Sequence, residues 1–408
     1  MKDVPAFARA TVDAAMGSNI WSTCRRYYMA TYESLGVRRV INAAGNASNL
    51  GSVCMGPEVL QAMCDAATWY VDMDELHRRA GEYIARITGA EAGLVTSGAA
   101  GGLLLATAAC VTRGGPSMMA ELPASATGHE VIIQTPHRTG YDHAVRTAGV
   151  RLLEVGKPDQ VSPEQIEAAI NVNTAAILFV FGETIDRAGE VPLEPVIEIA
   201  KRHGIPSILD ASVANYPFER LQRFAALGID LITTSGGKHI FGPPGTGFLF
   251  GRSEFVDMCR LMASPIHGIG RPLKIGKEEI VGLVTALEIY VDADEDAEHR
   301  EWESKVSCMA EALKDLPHTT VATTTLDEVD RPVPRVRLSI DEQALGVTAI
   351  QVVERLHQAE PSVRVSLFAV REGVLILNPV CLLEGDEERV VQAFRDVWRE
   401  GEDRTTVG

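Results

Sequence analysis

The stretch "TTSGGKHIFGPPGTGFLFG", residues 233–251, places a single lysine, Lys238, among six glycines and two prolines. Apolar runs typical of β-strands lie on both sides of this lysine, at 229–237 and 245–251. A lysine held behind small residues at the end of a strand is poorly solvated, and desolvation lowers the pKa of its amine. The pattern therefore makes Lys238 a candidate nucleophile toward a carbonyl group, with a solvated turn lysine as the alternative.

Short apolar runs of the same kind occur before this stretch and predict the rest of a sheet. They lie at 92–98, 130–135, 150–156, 175–181 and 205–212, and Gly, Pro or Asp residues bound most of them. Helical patterns separate them, including "SPEQIEAAINVN" (162–173) and "PLEPVIEIAKRHG" (192–204). Apolar strands that alternate with helices indicate a mostly parallel sheet covered on both faces. The sequence thus predicts a doubly wound α/β domain over about residues 80–255.

The region after this domain predicts a second, smaller one. A long helical pattern at 277–316 is interpreted as one connecting helix, followed by a strand at 334–341 and a helix at 347–359. A hairpin within 363–380 and a last helix at 386–400 complete a small α+β domain. We predict an N-terminal arm and interface segment at 1–50, a large α/β domain at 51–290 and a small C-terminal α+β domain at 291–408.

The composition excludes several classes of partner. The chain of 408 residues has 55 acidic and 38 basic residues, a formal net charge of −17, which disfavours nucleic acid and anionic membranes. Its seven cysteines include no C-x-x-C pair, so neither a metal site nor a disulfide framework is expected. No apolar run has the length of a membrane span. These features predict a cytoplasmic protein with no membrane or nucleic-acid partner.

Four features follow predicted strand ends, where ligands bind in open α/β sheets. The first is the turn "TSGAAGG" (96–102), which opens an apolar helix and resembles an anion-binding turn. The others are His137, Asp210 and Lys238. Each has an ordinary structural alternative: tight packing, a backbone contact, a helix cap or a solvated turn. Together they match what pyridoxal phosphate requires: a phosphate cradle, a ring to stack on, a partner for the ring nitrogen and a lysine for the aldehyde.

At this level of detail the sequence resembles the fold-type-I pyridoxal-phosphate enzymes. Within them it resembles the selenocysteine-synthase-like group, in particular the branch that contains the D-glucosaminate-6-phosphate ammonia-lyases. The similarity extends from about residue 32 to the last helix. It rests on residues 71–111, "HRTGYDHAVRTAGVRLLEVG" (137–156), "LDAS" (209–212), "SGGKHIFGPPGTGFLFG" (235–251) and "HGIGRPLKIGKEEIVGLVTALE" (267–288).

The resemblance implies roles for particular residues. Lys238 would form the internal aldimine, Asp210 would pair with the pyridine nitrogen, and His137 would stack on the ring. The phosphate would bind the turn of Ser97, Gly98, Ala99 and Ala100 together with Ser235, while Ser212 would support the ring. Substrate contacts are predicted for Asn46, Arg138, Arg271 and Arg371, and Arg271 is assigned to the partner's site in a homodimer, or a higher homo-oligomer, with shared active sites.

The resemblance also implies the chemistry, an external aldimine followed by a carbanion at Cα of a free amino acid. A lyase of the β-elimination or ammonia-lyase type, a racemase or an aldolase is the leading prediction. The alternatives are a selenium or sulfur transferase acting on seryl-tRNA, an aminotransferase and a non-catalytic pyridoxal-phosphate-binding protein.

Two positions depart from the pattern of the relatives. The loop at 45–56 carries Asn46 and Asn49, and Val380 stands where relatives often have arginine. Arg335, Arg337, Arg364 and Arg371 are the remaining candidates for binding the α-carboxylate. The sequence shows no obvious cluster of bases for a phosphate group on the substrate.

Overall fold

The structure is a computed structural model that describes residues 31–181, 189–327 and 331–405, with side chains to residue 399. Contacts divide the chain into two compact units, Met1–Val40 and Ile41–Gly408. In the first unit the described residues begin with a turn in which the backbone N–H groups of Thr31 and Ser34 each donate to the other's hydroxyl. Residues 1–30 of the predicted N-terminal arm, with Cys24, lie outside the described residues.

The described residues contain twelve strands and fourteen helices longer than a single 3-10 turn. The strands are β1 Val40–Ala43, β2 Ala92–Thr96, β3 Glu130–Gln134, β4 Arg151–Val155, β5 Thr174–Val180, β6 Ser207–Asp210, β7 Leu231–Ser235, β8 Gly247–Gly251, β9 Thr319–Thr324, β10 Arg335–Ile340, β11 Ser362–Val365 and β12 Val374–Leu377. The helices are α1 Pro57–Ala67, α2 Met73–Thr88, α3 Gly98–Thr112, α4 Pro116–Ala120, α5 His143–Thr147, α6 Pro163–Ala169, α7 Leu193–His203, α8 Glu219–Ala226, α9 Ser253–Met262, α10 Lys277–Val291, α11 Glu295–Leu313, α12 Glu342–Leu345, α13 Ala349–Gln358 and α14 Asp386–Thr405.

A seven-stranded sheet in the order β2-β8-β7-β6-β5-β3-β4 forms the centre of the second unit. All pairs from β7 to β4 are parallel, whereas β8 runs antiparallel to both β2 and β7. This sheet confirms the predicted mostly parallel α/β architecture. The parallel strands place their carboxyl ends at one edge, so side chains that follow β3, β6 and β7 lie on the same side of the sheet.

Continuous apolar strands give this sheet two buried faces. Ile132 packs in one hydrophobic cluster, while its neighbours Val131 and Ile133 pack in the other, because successive strand residues point to opposite faces. Helix α3 is buried from Gly101 to Thr112. It approaches the sheet closely at Gly102, where a Cβ atom would lie 2.1 Å from Oγ1 of Thr233. Only glycine permits that approach, which fixes the start of α3 against β7.

The long helical pattern at 277–316 forms two helices, so the prediction of one connecting helix was wrong. Helix α10 ends at Val291 and α11 begins at Glu295. The side chain of Asp294 accepts a hydrogen bond from the backbone N–H of Ala297 at 2.9 Å and caps α11. Aspartate favours the N-cap over a helix interior because its short carboxylate competes for backbone donors.

The C-terminal region contains a three-stranded antiparallel sheet in the order β12-β10-β9. Strand β9 was not predicted, because its threonine-rich sequence is polar and the strand lies at the edge of the sheet. The hairpin predicted within 363–380 was also wrong in its pairing, since β11 pairs with β1 and β12 pairs with β10. A single antiparallel bridge, between Ser366 and Ile376, joins the two segments.

These elements bury their own hydrophobic core, in which helix α11 packs on β9 and β10 while helices α13 and α14 pack on β11. The small C-terminal α+β region is therefore confirmed, while the exact boundaries at 50 and 290 stay a prediction. Across the part of the chain that the structure describes, no helix combines the length and apolar character required to cross a membrane.

Candidate active site

Asp210 and Lys238 follow neighbouring strands at the carboxyl edge of the sheet. Asp210 is the last residue of β6, opposite Thr233 of β7, and Lys238 comes three residues after β7 ends at Ser235. The Asp210 carboxylate is buried and accepts a hydrogen bond from the backbone N–H of Ser212 at 3.0 Å. Burial raises the pKa of Asp210 above its usual value, and the hydrogen bonds from Ser212 and the charge of Lys238 counteract this only in part. The site therefore favours a cation beside this carboxyl group.

A compact glycine-rich loop presents the half-buried Lys238. The Gly236 N–H donates to Thr246 O at 2.9 Å, and the Gly242 N–H donates to Gly236 O at 2.9 Å. A Cβ atom at Gly237 would lie 2.6 Å from Cα of Pro244. Glycines are required here because two parts of the loop touch through their backbones.

Lys238 lines a cavity of about 310 Å³, which we call the Lys238 cavity. Its other lining residues come from the loop after β1, from the segment after β6 and from the C-terminal region: Ala44, Asn46, Ala47, Val213, Arg331, Arg335, Ser366, Phe368 and Asn378. Of the predicted substrate residues, Asn46 is in this lining, and its Nδ2 lies 3.7 Å from Sγ of Cys381.

A buried charge cluster lies on one side of the Lys238 cavity. Nε of Arg331 lies 2.5 Å from Oδ2 of Asp327, and Nη2 of Arg335 lies 3.3 Å from the same oxygen. Arg331 also donates from Nη1 to the carbonyl oxygen of Val213 at 3.0 Å. Two guanidinium groups thus contact the same buried carboxylate. Arg335 was one candidate for the α-carboxylate, whereas sequence reasoning missed Arg331 because nothing in its local sequence marks it.

Asn42 and Asn378, which were not predicted as site residues, determine the conformation of the segment after β1. Asn42 donates from Nδ2 to Gly45 O at 2.9 Å and accepts from the N–H of Ala44 at 3.0 Å. Gly45 has φ +89°, and a Cβ there would lie 2.5 Å from Nδ2 of Asn378. A glycine is therefore required for both backbone conformation and space, and the loop brings Asn46 to the cavity.

The predicted phosphate turn, Ser97–Ala100, forms the N-terminus of α3. Thr96 donates from Oγ1 to Gly98 O at 2.8 Å, and Thr233 donates from Oγ1 to Ala99 O at 3.1 Å. These bonds hold the carbonyl groups and leave the first backbone N–H groups of the helix directed outward, as at any helix start. Side chains in the turn are half-buried or, at Ala100, exposed.

Ser235 lies close to this turn through the sheet register. Ser235 pairs with Gly247, and Gly247 pairs with Thr96, so the three residues form a row across β7, β8 and β2. A Cβ at Gly247 would lie only 2.4 Å from the carbonyl carbon of Gly98. The predicted phosphate residues are therefore brought together, and Asp210 lies on the strand beyond β7.

His137 is completely buried in a 3-10 turn after β3. Its Nε2 lies 2.8 Å from Oε2 of Glu190, and its Nδ1 accepts a hydrogen bond from the N–H of Val180 at 3.3 Å. The proton is therefore assigned to Nε2. The ring meets Phe179 edge-on, with centroids 4.4 Å apart. Its role as the stacking residue stays a prediction.

His239, next to Lys238, was not predicted. It is buried and stacks on Tyr216, with ring centroids 5.0 Å apart. Burial lowers the pKa of His239 well below its usual value, and the charges of Arg331, Arg335 and Lys238 act in the same direction. The imidazole is therefore neutral at physiological pH and adds no charge beside the lysine.

None of the other predicted arginines is among the residues that line the Lys238 cavity. Arg138 donates from Nε to Asp142 at 2.6 Å and also pairs with Glu154. Arg271 and Arg371 are exposed, and Arg337 is half-buried on β10. Arg364 lines a neighbouring cavity.

The donor set of this site fits pyridoxal phosphate. The buried Asp210 favours a cationic ring nitrogen, Lys238 supplies a primary amine, and the start of α3 supplies backbone donors for a phosphate. A doubly wound sheet with these groups at its carboxyl edge defines the class of fold-type-I pyridoxal-phosphate enzymes.

The family model of L-seryl-tRNA selenium transferase matches residues 40–316, and the chain belongs to this family. The chain is 33% identical, over 90% of its length and 97% of the relative's, to a D-glucosaminate-6-phosphate ammonia lyase of Salmonella typhimurium. It is likewise 33% identical, over 90% of its length and 91% of the relative's, to a 5'-C-glycyluridine monooxygenase-decarboxylase of a Streptomyces species.

A solved structure of D-glucosaminate-6-phosphate ammonia-lyase covers 92% of this chain and 100% of its own, with a TM-score of 0.81 and 31% identity. The L-seryl-tRNA(Sec) selenium transferase of Carboxydothermus hydrogenoformans is more distant, at 27% identity over 63% of this chain and 57% of its own length. These findings confirm the predicted family, the fold-type-I architecture and pyridoxal phosphate as the cofactor. They also confirm the prediction of an enzyme with a lyase as the leading choice.

Proposed function

We propose that the protein is a pyridoxal-phosphate-dependent lyase that acts at Cα of a small free amino acid. The observation that carries this proposal is the placement of an amine, Lys238, and a buried carboxylate, Asp210, beyond neighbouring strand ends. Lys238 faces a cavity that also contains Arg331 and Arg335. A volume of about 310 Å³ suits a small substrate rather than a macromolecule.

Each group has a role that its environment supports. Pyridoxal phosphate, when bound, supplies an electron sink for the bond that breaks at Cα. Asp210 would keep the ring nitrogen of the bound cofactor protonated, because a buried carboxylate requires a cation beside it. The N–H groups of Gly98, Ala99 and Ala100, with Ser97 and Ser235, would bind its phosphate. Lys238 would hold the aldehyde carbon, and its amine is the group that would remove or return the proton at Cα of the substrate.

The α-carboxylate of the substrate binds the guanidinium groups of Arg331 and Arg335, which line the same cavity as Lys238. Arg331 and Arg335 thus take the role of the arginine that relatives often have at the position of Val380. An arginine binds a carboxylate through two parallel N–H groups, which fixes the orientation of the amino acid as well as its position. Orientation matters because it decides which of the bonds to Cα is broken.

Proton NMR of an amino-acid panel in heavy water tests the proposed function. Both enantiomers of each compound are incubated with the cofactor-loaded protein and, as a control, with a Lys238→Ala variant. We expect loss of the α-proton signal for one or a few compounds, together with new keto-acid and ammonia products for a lyase. Exchange of the α-proton without a new product would favour a racemase. Aldehyde products would favour an aldolase, and formation of pyridoxamine would favour an aminotransferase. Absence of exchange across the whole panel would contradict the proposal. It would favour a transferase that acts on seryl-tRNA or a non-catalytic protein.

We also propose that the enzyme is a cytoplasmic homodimer whose partner contributes Arg271 to the site. Two observations support an incomplete site in the single chain: Arg271 is exposed, and Phe368 at the Lys238 cavity is 53% exposed. Mixing inactive Lys238→Ala protein with inactive Arg271→Ala protein tests this arrangement, after a mild dissociation step. Recovery of about a quarter of the wild-type activity is expected for shared sites formed at random. A monomer in light scattering, or no recovery, would count against it.

A further inference from the structure

A second cavity, of about 450 Å³, adjoins the Lys238 cavity. We call it the Arg364 cavity. Ala44, Ala47 and Ser366 line both cavities, so the two spaces meet at the loop after β1. The remaining lining residues are Asn49, Leu50, His357, Arg364, Val365 and Leu367. A ligand anchored at Lys238 therefore has a continuous path past this loop.

Arg364 gives the second cavity a positive charge. Its Nε is buried and has no hydrogen-bond partner within the described part of the chain. A buried donor without an acceptor costs free energy, and a charged one costs more, so the site is incomplete without an acceptor. The residues that line this cavity include no carboxylate that would neutralise the guanidinium.

His357 adds a second polar group to the same lining. Burial lowers the pKa of His357, and the positive charge of Arg364 lowers it further, against a weaker opposite effect of Glu354. The imidazole is thus a polar group of this lining whose lowered pKa disfavours a second positive charge beside Arg364. Asn49, an exposed amide in the loop after β1, is a third polar contact at this cavity.

We propose that the Arg364 cavity binds a distal anionic group, a phosphate or a carboxylate, of an extended amino-acid substrate that reacts at Lys238. This inference rests on the proposed function. The substrate is then acidic at both ends, with its α-carboxylate at Arg331 and Arg335 and its distal acid at Arg364. The sequence alone gave no such indication, because Arg364 and His357 stand on different elements and form no basic run.

Binding measurements with matched amino acids test the proposal. The cofactor-loaded protein is titrated with compounds whose distal group is a phosphate, a carboxylate or a neutral carboxamide, on chains of increasing length. The change in visible absorption gives a Kd for each. We expect the anionic compounds to bind roughly 10- to 100-fold more tightly than their neutral analogues, the range expected for one charge-assisted contact. The phosphate and carboxylate series distinguish the two sources of the anion.

Two variants remove this preference if the assignment is right. Arg364→Gln deletes the charge, and Asn49→Asp adds a negative charge at an exposed position, which keeps the test valid if Arg364→Gln does not fold. The matched controls are Arg355→Gln, two residues before His357 on α13, and Ser48→Asp, next to Asn49. Neither Arg355 nor Ser48 is among the residues that line the two cavities, so both control variants should keep the preference.

The outcomes distinguish failure of the distal-anion site from failure of the proposed function. The distal-anion site is wrong if amino acids change the absorption but the wild-type protein shows no preference for anionic compounds. It is also wrong if that preference persists in Asn49→Asp and in folded Arg364→Gln. In both cases the proposed function stands. If the protein forms no absorption band with the cofactor, or no amino acid alters that band, the proposed function fails and this inference with it.

Discussion

Nε of Arg331 lies 2.5 Å from Oδ2 of Asp327, whose side chain has no solvent-exposed surface. Arg335 approaches the same oxygen at 3.3 Å, so both guanidinium groups that line the Lys238 cavity contact this carboxylate. A buried carboxylate in this position holds both guanidinium groups at the edge of the Lys238 cavity.

Asp327→Asn should therefore destabilise the fold strongly. Removing one partner of a buried ion pair leaves uncompensated charge and typically costs about 3–5 kcal/mol of unfolding free energy. Urea unfolding followed by tryptophan fluorescence measures the change. Asp396→Asn is the matched control, because Asp396 pairs with Arg399 at an exposed position and its loss should cost under about 1 kcal/mol. Equal stability of the two variants would show that the cluster does not hold the fold together.

Lys238→Ala should abolish covalent attachment of pyridoxal phosphate and leave the fold intact. The attachment requires a primary amine, so Lys238→Arg, which keeps the positive charge, should fail in the same way. Borohydride reduction followed by peptide mass spectrometry locates the trapped cofactor, and circular dichroism reports the fold. Lys274→Ala, at an exposed lysine, is the control and should retain the label on the peptide that contains Lys238. Cofactor trapped in the Lys238→Ala protein would overturn the assignment.

Gly247→Ala should weaken cofactor binding through the phosphate turn. The new Cβ would lie 2.4 Å from the carbonyl carbon of Gly98 and 2.7 Å from the N of Ala99, so the backbone of the turn must shift. Overpacking of this kind costs about 1–3 kcal/mol in unfolding free energy, and we expect the Kd for pyridoxal phosphate to rise about tenfold or more.

Fluorescence titration of the unloaded protein with the cofactor measures this effect. Gly140→Ala is the control, since a Cβ at Gly140 would meet no atom within 4 Å. An unchanged cofactor Kd in Gly247→Ala would mean that the turn at Gly98 does not bind the phosphate.

Much of the fold was accessible from the sequence because its strongest signals are local. The seven apolar runs correspond to the seven strands of the central sheet. Ser162 caps α6 through a capping box with Gln165. The errors occurred where tertiary pairing decides the outcome. Strand β11 pairs with β1, more than three hundred residues away in the chain, and no local pattern specifies that partner.

The residues of the candidate site likewise fall into two groups, those that local sequence patterns predict and those that only the tertiary fold places. Lys238, Asp210 and the turn at Ser97 follow strand ends, where the general behaviour of α/β sheets predicts ligand groups. Arg331, Asn378 and Ser366 reach the Lys238 cavity from loops and strands of the C-terminal region. Their positions depend on how distant segments fold back, so the residues carry no periodicity or motif that identifies them beforehand.

A half-buried acidic group in α11, Glu298, makes the stability of the fold dependent on pH. Burial raises the pKa of Glu298 from its usual value to about 7, and the nearby charges of Glu295 and Glu301 act in the same direction. Burial also raises the pKa of Glu295. The folded state therefore binds protons more tightly than the unfolded state, so this region is most stable at low pH, where both carboxyl groups are neutral.

Glu298→Gln should remove most of that dependence. For the wild type, the contribution of Glu298 is full below about pH 4.5, falls as the pH rises and reaches its minimum above about pH 7, a change of at most about 3 kcal/mol. The variant should match the wild type near pH 4.5 and exceed its unfolding free energy at pH 8. Denaturant unfolding of both proteins across this range gives the difference directly, with Glu121→Gln, at an exposed position, as the control. A difference that does not vary with pH would mean that Glu298 is solvated and ionised throughout the range.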